Sequence, residues 1–184
     1  FMGNSITESW SELYPEYFFE KDYINRGIGG QTTPQMLIRF RADVIDLKPK
    51  IVVILAGTND IAGNTGPATV KMITDNIISM AVLARSNRIH VILSSILPAA
   101  DYPWNPGLDP PEKIKAVNYV LKKYANQNSL TYLDYYTSMV DNNNELKKKY
   151  TYDGVHPNKK GYELMSILAD QAISETLQLI LKNQ

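Results

Sequence analysis

The chain has two histidines, and only one stands where an imidazole could move protons. His156 falls in the polar stretch Tyr152-Asp153-Gly154-Val155-His156-Pro157-Asn158, three residues after Asp153. That spacing brings both side chains to one side of a turn, where a carboxylate can accept from Nδ1–H, fix the tautomer and stabilise the imidazolium. The same stretch also reads as a helix entry capped by Asn158 or Asp153. His90, inside Ile89-His90-Val91-Ile92-Leu93, reads as a structural residue of an apolar strand. Ser5, in Gly3-Asn4-Ser5-Ile6-Thr7, reads either as a helix N-cap or as a nucleophile. The nucleophile-elbow pattern G-x-S-x-G is not met, because Thr7 stands at its second glycine.

Two further loops carry candidate donors. In Asn25-Arg26-Gly27-Ile28-Gly29-Gly30-Gln31-Thr32-Thr33 a dinucleotide fingerprint fails, since G-x-G-x-x-G from Gly27 would need glycine where Thr32 stands. No Walker lysine follows. What remains is a tight glycine loop whose N–H groups can face a developing negative charge. Gly57-Thr58-Asn59-Asp60 ends the most apolar run of the chain. Turn chemistry explains an Asn there, and so does an amide donor aimed at a ligand.

The elements that must position these loops follow from periodicity. Ile51 to Leu55, Ile89 to Leu93 and Leu130 to Leu133 are short apolar runs that read as buried parallel strands. Helical spacing joins Val70, Ile73, Ile77, Ala81 and Ala84, and Pro111 to Tyr124 opens on a proline suited to a first turn. A third helix is expected from about Asn158 to Leu181, and a fourth from Met36 to Leu47, stopped by Lys48-Pro49. Strand and helix alternate, the mark of a parallel sheet covered on both faces. In such sheets ligands bind outside the carboxyl ends of the strands. The clusters at Gly3-Asn4-Ser5, Gly57 to Asp60, Pro98 to Pro111 and Asp153 to His156 fall where that rule wants them. Phe1-Met2 reads as the tail of a first strand, which places the rest of that strand, and any export leader, upstream of Phe1.

Composition narrows the chemistry. The 184 residues suit a single domain over 1–184. Equal counts of basic and acidic residues, 19 each, give no electrostatic reason for nucleic acid or anionic membrane as partner. The absence of cysteine excludes disulfides, thiolate metal sites and a cysteine nucleophile, and two histidines exclude a histidine-rich metal cage. No apolar stretch reads as long enough to span a bilayer.

In order and placement, Ser5, the glycine loop at Gly30, Asn59 and the late Asp153–His156 pair resemble the SGNH hydrolases, the GDSL-like esterase/lipase superfamily. The family is named for its Ser, Gly, Asn and His, carried on four sequence blocks. Gly3-Asn4-Ser5-Ile6-Thr7 resembles the first block, Gly27 to Thr33 the second, Gly57-Thr58-Asn59-Asp60 the third and Asp153-Gly154-Val155-His156-Pro157 the last. The second and third blocks look most like the platelet-activating-factor acetylhydrolase-like and carbohydrate acetyl esterases. Asn4 departs from the Asp usual in the first block, keeping an acceptor oxygen and losing the charge.

The resemblance implies an α/β fold: a three-layer α/β/α sandwich around a mostly parallel, five-stranded, flavodoxin-like sheet. It implies a serine ester hydrolase with Ser5, Asp153 and His156 as triad, and Ser5, Gly30 and Asn59 as oxyanion hole. Such chemistry needs no metal or organic cofactor. The expected substrate is a small-molecule or carbohydrate ester with a short acyl group, acetyl foremost. Tyr102 and Trp104, in the proline-rich loop Leu97 to Pro111, are expected to wall the pocket. Thioesterase, lysophospholipase and peptidase activities would use the same machinery. Two rivals stand apart: a non-catalytic module binding a small ligand or carbohydrate, and a glycosidase using Asp60 and Asp153.

Overall fold

The computed structural model describes residues 1–182. Its strands are β1 (Met2–Gly3), β2 (Arg26–Gly27), β3 (Ile51–Leu55), β4 (His90–Ser94) and β5 (Thr131–Leu133). They form one parallel sheet in the order β2-β1-β3-β4-β5. The helices are α1 (Ser5–Glu8), α2 (Trp10–Leu13), α3 (Glu16–Phe19), α4 (Thr33–Phe40), α5 (Thr58–Ile61), α6 (Val70–Ser86), α7 (Pro110–Gln127), α8 (Tyr135–Met139) and α9 (Lys159–Lys182).

β3 is apolar at every position because both of its faces are covered. Side chains alternate across a strand, so Val52 and Ile54 join one core while Val53 and Leu55 join the other. The first core is closed by Met36 and Phe40 of α4, Ile73, Ile77 and Met80 of α6, and Ile114, Val117 and Leu121 of α7. The second is closed by Ile6 of α1, Trp10 of α2, and Tyr162, Met165, Ala169 and Ile173 of α9. This is the expected three-layer arrangement, with its layers assigned.

Element boundaries moved where local chemistry overrode periodicity. The helix expected from Met36 begins at Thr33, because Thr32 and Gln35 form a capping box around its first turn. It then passes into a π-helical turn over Arg41–Ile45 before Lys48-Pro49. α9 has 24 residues and is, among the described residues, the helix long and apolar enough to cross a membrane. The expectation that no such stretch exists is corrected on that count. Here the helix packs its Met165, Ala169 and Ile173 side against the sheet. His90 is a strand residue, as expected: it opens β4, exposed, at the end of the sheet opposite the carboxyl ends of the strands.

The strand order fixes where a ligand would sit. From β1 the chain goes to β2 on one side, then crosses to β3 on the other. The crevice at that reversal, outside the carboxyl ends of β1 and β3, is the usual binding place in open α/β sheets. Ser5 lies two residues past the end of β1, and Asn59 four residues past the end of β3.

Candidate active site

The cap of the helix that begins at Ser5 is supplied by its neighbour. Asn4 caps α1: its Oδ1 accepts from the Ile6 N–H at 3.0 Å, and its carbonyl accepts from the Thr7 and Glu8 amides at 3.1 and 2.9 Å. The Ser5 N–H is left out of this set, and the Ser5 hydroxyl is not spent on the helix. Ser5 Oγ instead lies 3.1 Å from His156 Nε2, across 151 residues of sequence.

His156 is held from its other side. Its Nδ1 is 2.6 Å from Asp153 Oδ2, while Asp153 Oδ1 accepts from the backbone N–H groups of Val155 and His156 at 2.9 and 2.7 Å. Partial burial pushes the Asp153 carboxyl upward, but the His156 backbone and ring and the Val155 N–H outweigh it and hold it below the usual carboxylate range. The helix-entry reading belongs to Asn158, whose Oδ1 accepts from the Gly161 N–H at 3.1 Å at the start of α9. The Tyr162 hydroxyl of α9 donates to the Ile6 carbonyl at 2.8 Å, and Trp10 Nε1 donates to Ser166 Oγ at 3.2 Å. These two bonds tie the serine turn to the helix that follows His156.

The glycine loop lies beside the serine. A β-carbon added to Gly29 would sit 3.9 Å from Ser5 Cβ and 2.7 Å from the Glu8 carboxylate. Gly30 has φ of +73°, a left-handed conformation that favours glycine. Asn59 is buried, 2% exposed, and its Nδ2 donates to the Gln31 carbonyl at 2.9 Å. One amide proton is thereby fixed, and a primary amide carries a second. Gly57 swings the chain from β3 into α5 at φ of +116°, where a β-carbon would meet Ile96 at 2.7 Å. Beneath, Arg39 donates to the carbonyls of Gly3 and Arg26 at 3.0 and 2.9 Å and to Gln31 Oε1 at 2.6 Å. It thus ties the ends of β1 and β2 to the loop that meets Asn59.

Tyr102 and Trp104 part company. Tyr102 is fully buried, with its hydroxyl 3.0 Å from Thr58 Oγ1. Its ring is packed into the base of the proline-rich loop, at the edge of the groove beside Tyr152 and Asp153. Trp104, 43% exposed, has its indole tilted against both the Tyr102 ring and the His156 imidazole, with centroids 5.2 and 5.7 Å away. On the other side Tyr152 stacks on His156 at 6.0 Å. No local pattern had singled out Tyr152, although it directly precedes Asp153. A groove of about 500 Å³ runs past Asp153 and Tyr152, walled by Pro103, Pro106, Glu145 and Lys148.

Asp60 is not a free carboxylate. Both its oxygens accept from the Thr33 N–H, at 3.1 and 2.9 Å, and Oδ1 also from the Thr33 hydroxyl at 2.6 Å. It fastens α5 to the first turn of α4, and burial pushes its carboxyl upward despite those bonds. A glycosidase pair with Asp153 has no partner there. Among the described residues no group of three metal-ligating side chains converges.

The chain as a whole has close relatives of known structure. A protein from Bacteroides fragilis NCTC 9343 is 52% identical, with a TM-score of 0.94 over 96% of this chain and 86% of its own. A GDSL-like lipase from Bacteroides thetaiotaomicron VPI-5482 is 48% identical, with a TM-score of 0.93 over 95% of this chain and 86% of its own. Among characterised sequences, the bovine platelet-activating factor acetylhydrolase IB subunit alpha1 is 29% identical over 88% of this chain and 68% of its own length. The lipoprotein YqeF of Bacillus subtilis is 40% identical over 80 residues, which span 33% of its length. Residues 1–164 match the model of the GDSL-like Lipase/Acylhydrolase family, and the chain belongs to that family.

Proposed function

We propose that the protein is a serine ester hydrolase that removes short acyl groups, acetyl foremost, from small-molecule or carbohydrate esters. The observation that carries this reading is the line Ser5 Oγ, His156 Nε2, His156 Nδ1, Asp153 Oδ2, with links of 3.1 and 2.6 Å. A hydroxyl so placed can lose its proton to imidazole as it attacks, within the reach general-base catalysis needs.

Ser5 Oγ bonds to the ester carbonyl carbon while His156 Nε2 takes its proton. The Asp153 carboxylate stabilises the resulting imidazolium and stays ionised. The tetrahedral oxyanion is held by the Ser5 and Gly30 backbone N–H groups and the free amide proton of Asn59. Its collapse expels the alcohol, which leaves with the proton from His156. Water then attacks the acyl-serine, gives its proton to His156, and releases the carboxylic acid as Ser5 regains its hydroxyl hydrogen.

The Trp104 indole packed on His156 leaves an acyl chain beside Ser5 to meet it, which supports a short acyl group, and the bovine relative is named an acetylhydrolase. The groove past Tyr152 gives a sugar or other alcohol room. An exported setting belongs to the same reading, since YqeF is named a lipoprotein. Recovery of the native protein from the cytoplasmic fraction alone would refute that part.

A panel of p-nitrophenyl esters of rising chain length, run on wild type and Ser5→Ala, tests the reading. Hydrolysis is expected to be greatest for acetate and abolished in Ser5→Ala. Wild-type inactivity on every ester, or activity surviving in Ser5→Ala, would sink it.

A further inference from the structure

Asn64 follows α5 in the turn Gly63-Asn64-Thr65-Gly66, where its residue type needs no explanation beyond turn chemistry. Its contacts go further. The Asn64 N–H donates to the Asn59 carbonyl at 3.0 Å. Its Nδ2 donates to the Gly30 carbonyl at 3.0 Å, and its Oδ1 accepts from Trp104 Nε1 at 3.1 Å. The next residue of the tryptophan loop is anchored alongside, with Asn105 Nδ2 donating to the Ala62 carbonyl at 2.8 Å. One side chain therefore joins the left-handed glycine, the turn that carries Asn59 and the indole packed on His156.

We propose that Asn64 is a positioning residue that couples the geometry of the oxyanion hole to the size of the acyl group accepted. Gly30 is held by its φ and by this bond to its carbonyl, and an added β-carbon would meet only Asn64 Nδ2, at 3.9 Å. The next residue, Gln31, is held separately by Asn59 and Arg39, so the Asn64 bond is the one that acts on the Gly30 carbonyl itself. An acyl chain long enough to push the indole off His156 pulls on the same amide that steadies Gly30. Discrimination against long chains is then paid in kcat as well as in KM. This rests on the ester-hydrolase reading and on Gly30 as an oxyanion donor.

Three variants separate the two arms. Asn64→Asp keeps an acceptor for the indole and places a second carboxylate oxygen against the Gly30 carbonyl. Trp104→Phe keeps the Gly30 bond and removes the indole N–H. Asn64→Ala removes both. Asn64→Asp is expected to lower kcat on p-nitrophenyl acetate about three- to tenfold, the weight of one exposed hydrogen bond, with its chain-length profile kept. Trp104→Phe is expected to shift that profile toward butyrate and octanoate, and Asn64→Ala to do both. Acrylamide quenching reads the indole without catalysis, since Trp10 is 1% exposed and Trp104 is the accessible tryptophan. Quenching should rise in Asn64→Ala and stay at the wild-type level in Asn64→Asp. Asn64→Ala with wild-type kcat, profile and quenching overturns the proposal, provided Ser5→Ala is dead in the same assay. Activity surviving in Ser5→Ala overturns the hydrolase reading itself.

Discussion

Asn59→Ala tests the oxyanion hole most directly, and the structure gives its effect two parts. The amide donates one proton to the Gln31 carbonyl at 2.9 Å, and the proposed donor to the oxyanion is its second proton. Loss of one oxyanion donor typically costs about 10²–10³ in kcat, roughly 2.7–4 kcal/mol of transition-state stabilisation. The same truncation leaves the Gln31 carbonyl unpaired beside a buried position, a loss of about 1–3 kcal/mol in stability. For a chain of this size that lowers Tm by roughly 2–12 °C, so catalysis and folding both suffer, and catalysis more. Stopped-flow hydrolysis of p-nitrophenyl acetate at 25 °C, with melting followed by circular dichroism, separates the two. Asn59→Asp sharpens the contrast, because it keeps the side-chain shape but has no N–H and brings a negative charge to the oxyanion. It is expected to lose at least as much kcat as Asn59→Ala. A fall of less than about tenfold in kcat for both variants, in protein that remains folded at the assay temperature, would refute a donor role for Asn59.

Other expectations follow from the supports of the site. Asp43 pairs with Arg39 at 2.6 Å and also with Arg26. Burial pushes its carboxyl upward, and the bonds from Arg39 and Arg26 outweigh this and hold it below the usual range. A depressed carboxyl contributes stability above its unfolded pKa that is lost as pH falls through the folded value. Asp43→Asn should therefore destabilise by about 3 kcal/mol near pH 7, with the difference from wild type shrinking below about pH 4; a pH-independent gap in urea melts would count against the ion pair. Asn4→Ala removes the cap of α1 and should cost about 1 kcal/mol together with activity, since the capped turn carries Ser5. Asn4→Asp keeps the acceptor at Ile6 and is expected to stay within about fivefold of wild-type kcat; a rise of several orders of magnitude would mean that the charge at this position matters more than the cap.

The sequence by itself determined the periodic elements and the residue types of the site. An unbroken apolar run such as Ile51 to Leu55 has few alternatives to a doubly covered strand, and a proline or capping box acts within its own turn. Ser5, Gly30, Asn59, Asp153 and His156 are weak signals one by one and stand out through their order and placement, which resemble the blocks of the family. Tertiary structure decided what those residues do with their hydrogen bonds. Asn4 took the cap and left Ser5 its hydroxyl, Asn158 took the helix entry and left Asp153 to His156, and Asp60 was consumed by Thr33. Tyr102 and Trp104 stand two residues apart in one loop, yet one is buried against Thr58 and the other lies on the imidazole. Asn64 looks like an ordinary turn residue until Gly30 and Trp104 arrive from 34 and 40 residues away. Periodicity and capping depend on neighbours along the chain, whereas the partner of a polar group depends on sheet order and register, which only the packed fold sets.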